Sequence, residues 1–393
     1  MLSSLGLSRF LEDRNAELAL ALNPLNANAR VATLTAALGR TGGEVDLDRV
    51  ERSVSDALWL DAVDARLYSL LAETRLRRGD SQAAFASFSH ALEISKTEVH
   101  ALRRTIGHAI DRRDMTGAVR NVDLLLRRWP GAFDTIKDIF PALLAEQESY
   151  GMILDMLASD TPWRASLFAF LAEYPATLDA AGRLLQDLGR SKHPPIGSEI
   201  ARTTNGLIRS GRVGDAYRLF LMTLSAEETA LGGYIHDGGF KGRASGRPFG
   251  WQLHEQSGHT IAVGADAATS GGAKGMRIRF IGTPVTRISA QQYLHLPPGE
   301  YVLRADVTAV SAVLPKGLFW SLRCVGGKGE MARLDIPEGS FESRLLEARF
   351  SVEAAACPLQ LIGLGTTAIA ESWKDRYQGA VVFNSLRVEK VVS

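Results

Sequence analysis

The sequence predicts a multidomain α + β chain: helical hairpins through residue 228, then an all-β sandwich over residues 229–393. Three observations predict it. A pattern of small and large apolar residues over Ala65–Lys96 reappears further along the chain. Composition shifts near Leu231-Gly232-Gly233, where glycine becomes frequent. Beyond that point apolar residues alternate one by one, the spacing of strands, instead of every third or fourth residue, the spacing of helices.

In the first segment, Ala65–Lys96 carries Tyr68, Leu71, Ala72, Gly79, Ala84, Phe88 and Ala91. The small residues Ala72, Ala84 and Ala91 allow two helices to approach closely, and Tyr68, Leu71 and Phe88 fill the space between them. Gly79-Asp80 supplies the turn: glycine tolerates positive φ after a helix, and aspartate caps the next one. A shift of about 34 residues carries Gly79-Asp80 onto Arg113-Asp114 and Ala84 onto Ala118. Pro130 then ends a helix. Ala57–Ala65 and Ala19–Pro24 read as the ends of earlier repeats, so the chain is expected to open on the second helix of a pair. That opening suggests residues missing upstream, such as an export signal or anchor.

From Gly131 to about Ser225 helical spacing continues over Ile136–Glu146, Tyr150–Leu157, Arg164–Glu173 and Ala180–Leu188. Lys192–Pro195 is a break. A last pair covers Ile200–Arg209 and Val213–Leu224, joined at Gly211, with Ala216, Tyr217 and Phe220 in the repeat's small and aromatic positions. Strands are expected at Gly250–Glu255, Met276–Gly282, Ala290–His295, Tyr301–Val310, Gly317–Cys324, Leu345–Val352, Pro358–Ile362 and Ala380–Val391. Turns fall at Ser270–Gly272, Pro297–Gly299, Gly326-Gly327 and Pro337–Gly339. Short strands with regular punctuation mean a sandwich or barrel.

On those residues the first segment resembles the tetratricopeptide (TPR) repeat family, most closely over residues 65–130. The resemblance implies an α-helical TPR-like solenoid with a groove for a protein partner, and no catalysis. The second segment has an ordered set of landmarks: Asp237-Gly238-Gly239-Phe240, Pro248–Trp251, Met276–Phe280, Gln291–Tyr293, Leu296–Tyr301 and Val382–Val388. It resembles the jelly-roll carbohydrate-binding modules of the galactose-binding-like fold. That family often holds a structural calcium with a glutamate after the opening Phe and an aspartate in the last strand. Here Lys241 and Asn384-Ser385 stand in those places. Calcium takes several oxygen ligands and a lysine repels it, so no metal is expected.

Sugar binding needs aromatic faces and polar side chains, because a pyranose offers an apolar CH face and a rim of hydroxyls. The candidates are Trp373, Arg376, Tyr377, Trp320, Arg323 and Tyr293, with the polar, aromatic loop Glu371–Gln378 foremost. In Leu318–Cys324 the even positions are apolar and read as the core face, which makes Trp320, like Trp251, a core residue as readily as a platform. In Cys357–Leu361 the odd positions read inward. Cys324 and Cys357, the only cysteines, form a disulfide if the protein is exported and are buried thiols otherwise.

Hydrophobic residues make up 46% and charged residues 23%, with net charge +1. No global field favours nucleic acid. No apolar run reaches the roughly 18 residues that span a bilayer. There is no Gly-x-Ser-x-Gly elbow, His-Glu-x-x-His or Cys-x-x-Cys, and Gly326–Gly329 lacks the spacing of a P-loop. His254 and His259 lack a third metal ligand. No cofactor and no catalytic residue is expected. The domain pairing resembles accessory proteins of polysaccharide systems. It implies a non-enzymatic scaffold, periplasmic or envelope-associated and otherwise cytoplasmic, that docks a protein through its repeats and polysaccharide through its sandwich. The alternatives are a pure protein–protein adaptor with a structural sandwich and a carbohydrate-active enzyme.

Overall fold

A computed structural model describes residues 2–39, 45–242, 244–254, 257–264, 275–285, 288–327, 329–353, 357–367 and 373–391. The turn expected at Ser270–Gly272 lies outside the described residues. The chain separates into two compact units, Met1–Ser166 and Leu167–Ser393.

The first unit is all helix. α1 (Leu2–Leu11) precedes α2 (Ala16–Leu22) and packs on it: Ser8 Oγ, fully buried, donates to Ala19 O at 2.8 Å. This corrects the expectation that the first helix of that pair is absent. The apolar residues Leu5, Leu7 and Phe10 of α1 are exposed, which blurs its helical periodicity in the sequence. α3 (Ala27–Gly39) and α4 (Leu47–Leu60) follow.

α5 (Ala65–Arg77) and α6 (Ser81–Ile94) turn at Gly79, φ 87°, and Asp80 caps α6 by accepting from Ala83 N. α7 (Val99–Asp111) and α8 (Met115–Arg128) repeat the device, with Asp114 accepting from Gly117 N. The residue in the glycine position is Arg113, held at φ 60°, a conformation that side chains disfavour. Ala72, Ala84, Phe88 and Ala91 are completely buried, as close helix packing demands. The expected helix Ile136–Glu146 is instead broken into α9 (Phe133–Ile136), a 3-10 turn and α10 (Phe140–Ala145), and α11 (Gln147–Leu157) follows. Pro141 lacks the N–H that continuity through residue 141 would use.

One charged cluster in this unit links to pH. The carboxylate of Glu73, its side chain 8% exposed, meets His100 Nε2 at 3.1 Å and Arg104 at 2.7 Å. The hydrogen bond from His100 first, and Arg104 next, outweigh burial and lower its pKa from 4.5 to about 2. A depressed carboxylate stabilises the fold above its unfolded value, and that contribution is lost as pH falls from 4.5 toward 2. His100 and Arg104 are partly solvated, so about 1–2 kcal/mol is expected rather than the full shift. Thermal melts between pH 6 and 2.5 should show Glu73→Gln less stable than the parent at the upper end, with the gap closing on acidification. A gap independent of pH would refute the linkage.

The second unit opens with the end of α12 (Arg164–Leu171), α13 (Leu178–Leu188), α14 (Gly197–Arg209), α15 (Val213–Met222) and a short turn, Ala226–Thr229. Among the described residues ten strands follow: β1 (Gln252–His254), β2 (His259–Val263), β3 (Met276–Phe280), β4 (Ser289–Leu294), β5 (Gly299–Val313), β6 (Phe319–Cys324), β7 (Glu330–Asp335), β8 (Gly339–Val352), β9 (Gln360–Gly365) and β10 (Gln378–Lys390). They make two five-stranded antiparallel sheets, ordered β1-β4-β9-β6-β7 and β2-β3-β10-β5-β8. β2 and β7 were not expected. Their flanks (Gly258 and His259; Glu330 and Asp335) carry little strand signal, and only pairing with β3 and β6 defines them.

The core between the sheets centres on Trp251, Trp320, Phe240, Phe383, Tyr301 and Tyr377. α15 belongs to the same packing: Phe220 lies against Phe249 and His236, at ring separations of 5.7 and 5.3 Å. Arg247, 5% exposed, donates to Thr223 O and pairs with Glu228.

The opening Asp237–Phe240 turn is an internal lock. Asp237, at φ 52°, accepts from Lys241 N and Gly242 N at 2.8 and 2.9 Å, and its carbonyl accepts from Trp251 Nε1 at 3.0 Å. At the other position where the resembled family places a metal ligand, the Asn384 amide donates to Asp306 and Thr308.

Candidate functional site

Side-chain alternation on the sheet β1-β4-β9-β6-β7 sorts residues into an inner and an outer face. Trp320 and Leu322 of β6 point into the core and Phe319, Ser321 and Arg323 point out. On β4, Ala290, Gln292 and Leu294 are buried, while Gln291 and Tyr293 face outward and are half-buried. On β9 the inward residues are Gln360, Ile362 and Leu364, and Leu361, Gly363 and Gly365 face out.

That phase corrects the reading of Cys357–Leu361. Glutamine can be buried at 360 because its amide is fully used: Oε1 accepts from Leu296 N at 2.9 Å and Nε2 donates to Cys357 O. Gln292 does the same for His236, accepting from its N–H and donating to its carbonyl, each at 2.9 Å.

Strand pairing sets the outer residues in rows. Gln252, Gln291, Gly363, Ser321 and Arg333 form one row across the sheet. Tyr293, Leu361 and Arg323 form the next, and Phe319 stands beside Gly365 on the other side. Gly363 leaves the middle of the face bare, while the Phe319 ring lies against Gly365. The result is an open trough of about 480 Å³, lined by Gln291, Phe319, Ser321, Arg323, Leu361 and Gly363 among others.

Its walls are chemically distinct. The Phe319 ring carries the Arg333 guanidinium 3.5 Å above it. Arg333 is bound in turn by Asp335 at 2.8 Å, with Glu330 at 3.8 Å. Opposite, Gln291 Nε2 donates to Gln252 Oε1 at 3.2 Å. The arrangement offers an apolar floor and a rim of amide, hydroxyl and guanidinium groups, which suits a ring with one apolar face and polar edges.

The sequence candidates fall in three places. Arg323 lines the trough; Tyr293 is on the same side of the sheet but outside the trough lining, its ring 6.5 Å from that of Phe249. Trp320 does not line it: it is completely buried, its ring 5.6 Å from Trp251 and 5.3 Å from Phe383, so no ligand reaches it. Tyr377 is also completely buried, and its Oη donates to Gly317 O at 2.9 Å. Burial pushes its phenol up to about 12, so it stays a neutral donor inside the fold. Its polar sequence surroundings disguised a core residue.

Arg376 is exposed and its backbone bridges Pro284. Trp373 opens a 3-10 turn; its side chain, with Glu371 and Ser372, lies outside the described residues. His254 and His259 are separated onto different sheets. His254 binds Ser289 Oγ at 3.1 Å and His259 is buried, with burial lowering its pKa. Among the described residues no cluster of three or more His, Cys, Asp or Glu side chains could hold a metal. No described helix is long and apolar enough to cross a membrane. Cys324 and Cys357 form a disulfide with Cα atoms 5.6 Å apart, one residue beyond Arg323.

The signal that could have revealed the trough was Gly363, a glycine on a strand whose adjacent residues, Ile362 and Leu364, are core.

No protein-family model matches this chain, and no curated protein matches it. Solved structures similar to it include a CBM4 structure (12% identity, TM-score 0.30, covering 40% of this chain and 99% of that one). TmCBM61 in complex with beta-1,4-galactotriose is another (12%, TM-score 0.27, 41% and 99%). The Naa15/Naa10 complex bound to HypK-THB is a third (15%, TM-score 0.29, 56% and 36%).

Proposed function

We propose that this chain is a non-catalytic scaffold of the bacterial envelope, whose TPR-like repeats dock a protein partner while the sandwich holds a glycan during exopolysaccharide production or export. The observation that supports the glycan role most is the trough. Its floor at Leu361 and Gly363 and the rim of Gln291, Ser321 and Arg323 match the alternating apolar and polar surfaces of a sugar chain. The Cys324–Cys357 bond favours an oxidising compartment, in keeping with an envelope location.

Gly363→Tyr tests the reading. A Cβ at 363 would meet only Gln291 Cβ at 3.8 Å and Ala290 O at 4.0 Å, and tyrosine suits a strand. The substitution therefore fills the trough without disturbing the fold. The full chain should be retarded in affinity gels containing at least one soluble neutral or acidic polysaccharide. Gly363→Tyr should weaken that retardation about tenfold or more, with an unchanged melting temperature. Unimpeded migration of the parent through every gel would remove the glycan role and leave a protein adaptor.

A further inference from the structure

We propose that the trough selects acidic glycans, with the Arg323 guanidinium pairing the carboxylate of a uronic acid residue. This rests on the glycan-binding reading of the same face.

The argument is one of committed and uncommitted charge. Arg333 is paired with Asp335 and its guanidinium lies over Phe319. Glu330, opposite Arg323 in the β6–β7 register and itself part of the trough lining, has its carboxylate 3.8 Å from Arg333. Arg323 is exposed on the same face and makes no ion pair or side-chain hydrogen bond among the described residues. Its backbone is nonetheless firmly placed. Arg323 pairs with Leu361, and the next residue is both paired with Gln360 and disulfide-bonded to Cys357.

Next to this cation lie Leu361 and Gly363, a flat apolar floor, and Ser321, a hydroxyl on the rim. A pyranose laid on that floor presents its ring substituents toward Arg323. A planar guanidinium matches a carboxylate with two parallel charge-assisted hydrogen bonds. A neutral hydroxymethyl group in the same place gains only an ordinary hydrogen bond, roughly half as strong.

The test uses the full chain and titration calorimetry with short oligogalacturonates and oligomannuronates, each beside its carboxyl-reduced neutral counterpart. At least one acidic probe should bind about tenfold tighter than its reduced form, a pair worth about 1.4 kcal/mol. Arg323→Gln should erase that ratio by weakening the acidic arm alone. Arg323→Lys, a point charge without the fork, should restore part of it. Arg349→Gln, an exposed position on β8 of the other sheet, should change nothing.

Equal affinities for acidic and reduced probes, or equal weakening of both by Arg323→Gln, would overturn acid selection and leave glycan binding standing. So would a chain that is retarded by neutral polysaccharides yet ignores the acidic probes. Failure with every glycan, neutral or acidic, would overturn both readings together.

Discussion

Trp320→Ala is expected to destabilise the second unit by about 3–5 kcal/mol, the cost of deleting a fully buried aromatic side chain and leaving a cavity. Trp320 sits where Trp251 and Phe383 meet between the two sheets. Denaturant unfolding with a near-ultraviolet or fluorescence signal reads the loss directly. A ligand-platform residue behaves in the opposite way, losing binding while stability hardly moves. A change below about 0.5 kcal/mol, the range of ordinary surface substitutions, would contradict the burial described above.

The second large effect is expected at the opening turn. A Cβ on Gly238 would fall far inside contact distance of the Leu386 carbonyl oxygen, while Leu386 N donates to Gly238 O at 2.7 Å. The turn and the last strand are thus in backbone contact, and neither can retreat. Gly238→Ala should cost about 2–3 kcal/mol. Its neighbour is the control: a Cβ on Gly239 meets only the flexible Lys241 side chain, at 3.5 Å or more. Gly239→Ala should therefore be nearly silent in the same unfolding experiment, and equal losses at both positions would refute the explanation. The Asp-Gly-Gly-Phe motif is in this sense a clasp, with Asp237 tying down the following amides and Gly238 admitting the last strand.

Much of this architecture could be read from the residues because local chemistry agreed with the packing. Asp80 and Asp114 look like helix caps and are caps. The alternation in Leu318–Cys324 gave the correct inner face, with Trp320 in and Arg323 out. Failures arose where a polar residue is buried with all its hydrogen bonds met. Gln360 reversed the apparent phase of its strand, and Tyr377 stood in a polar loop yet fills the core. β7 was missed because its pairing is set by β6 rather than by its own composition. The trough was invisible for a related reason. It is opened by the missing side chain of Gly363, whereas the sequence signature of a sugar platform is an aromatic ring. The contacts of Phe220 and Tyr217 of α15 with Phe249 are likewise ones that no local pattern records.

The seam between α15 and the sandwich bears on how such a chain could be rearranged in evolution. Recombination that joined residues 231–393 to a foreign partner would leave Arg247 without the Thr223 carbonyl and Glu228. It would also uncover Phe249, 1% exposed in the intact chain, and strip His236 of Phe220. The inheritable cassette is the sandwich with its preceding helices, and a gene duplication or fusion that cuts inside it would hand its product a greasy, mispaired surface prone to aggregation.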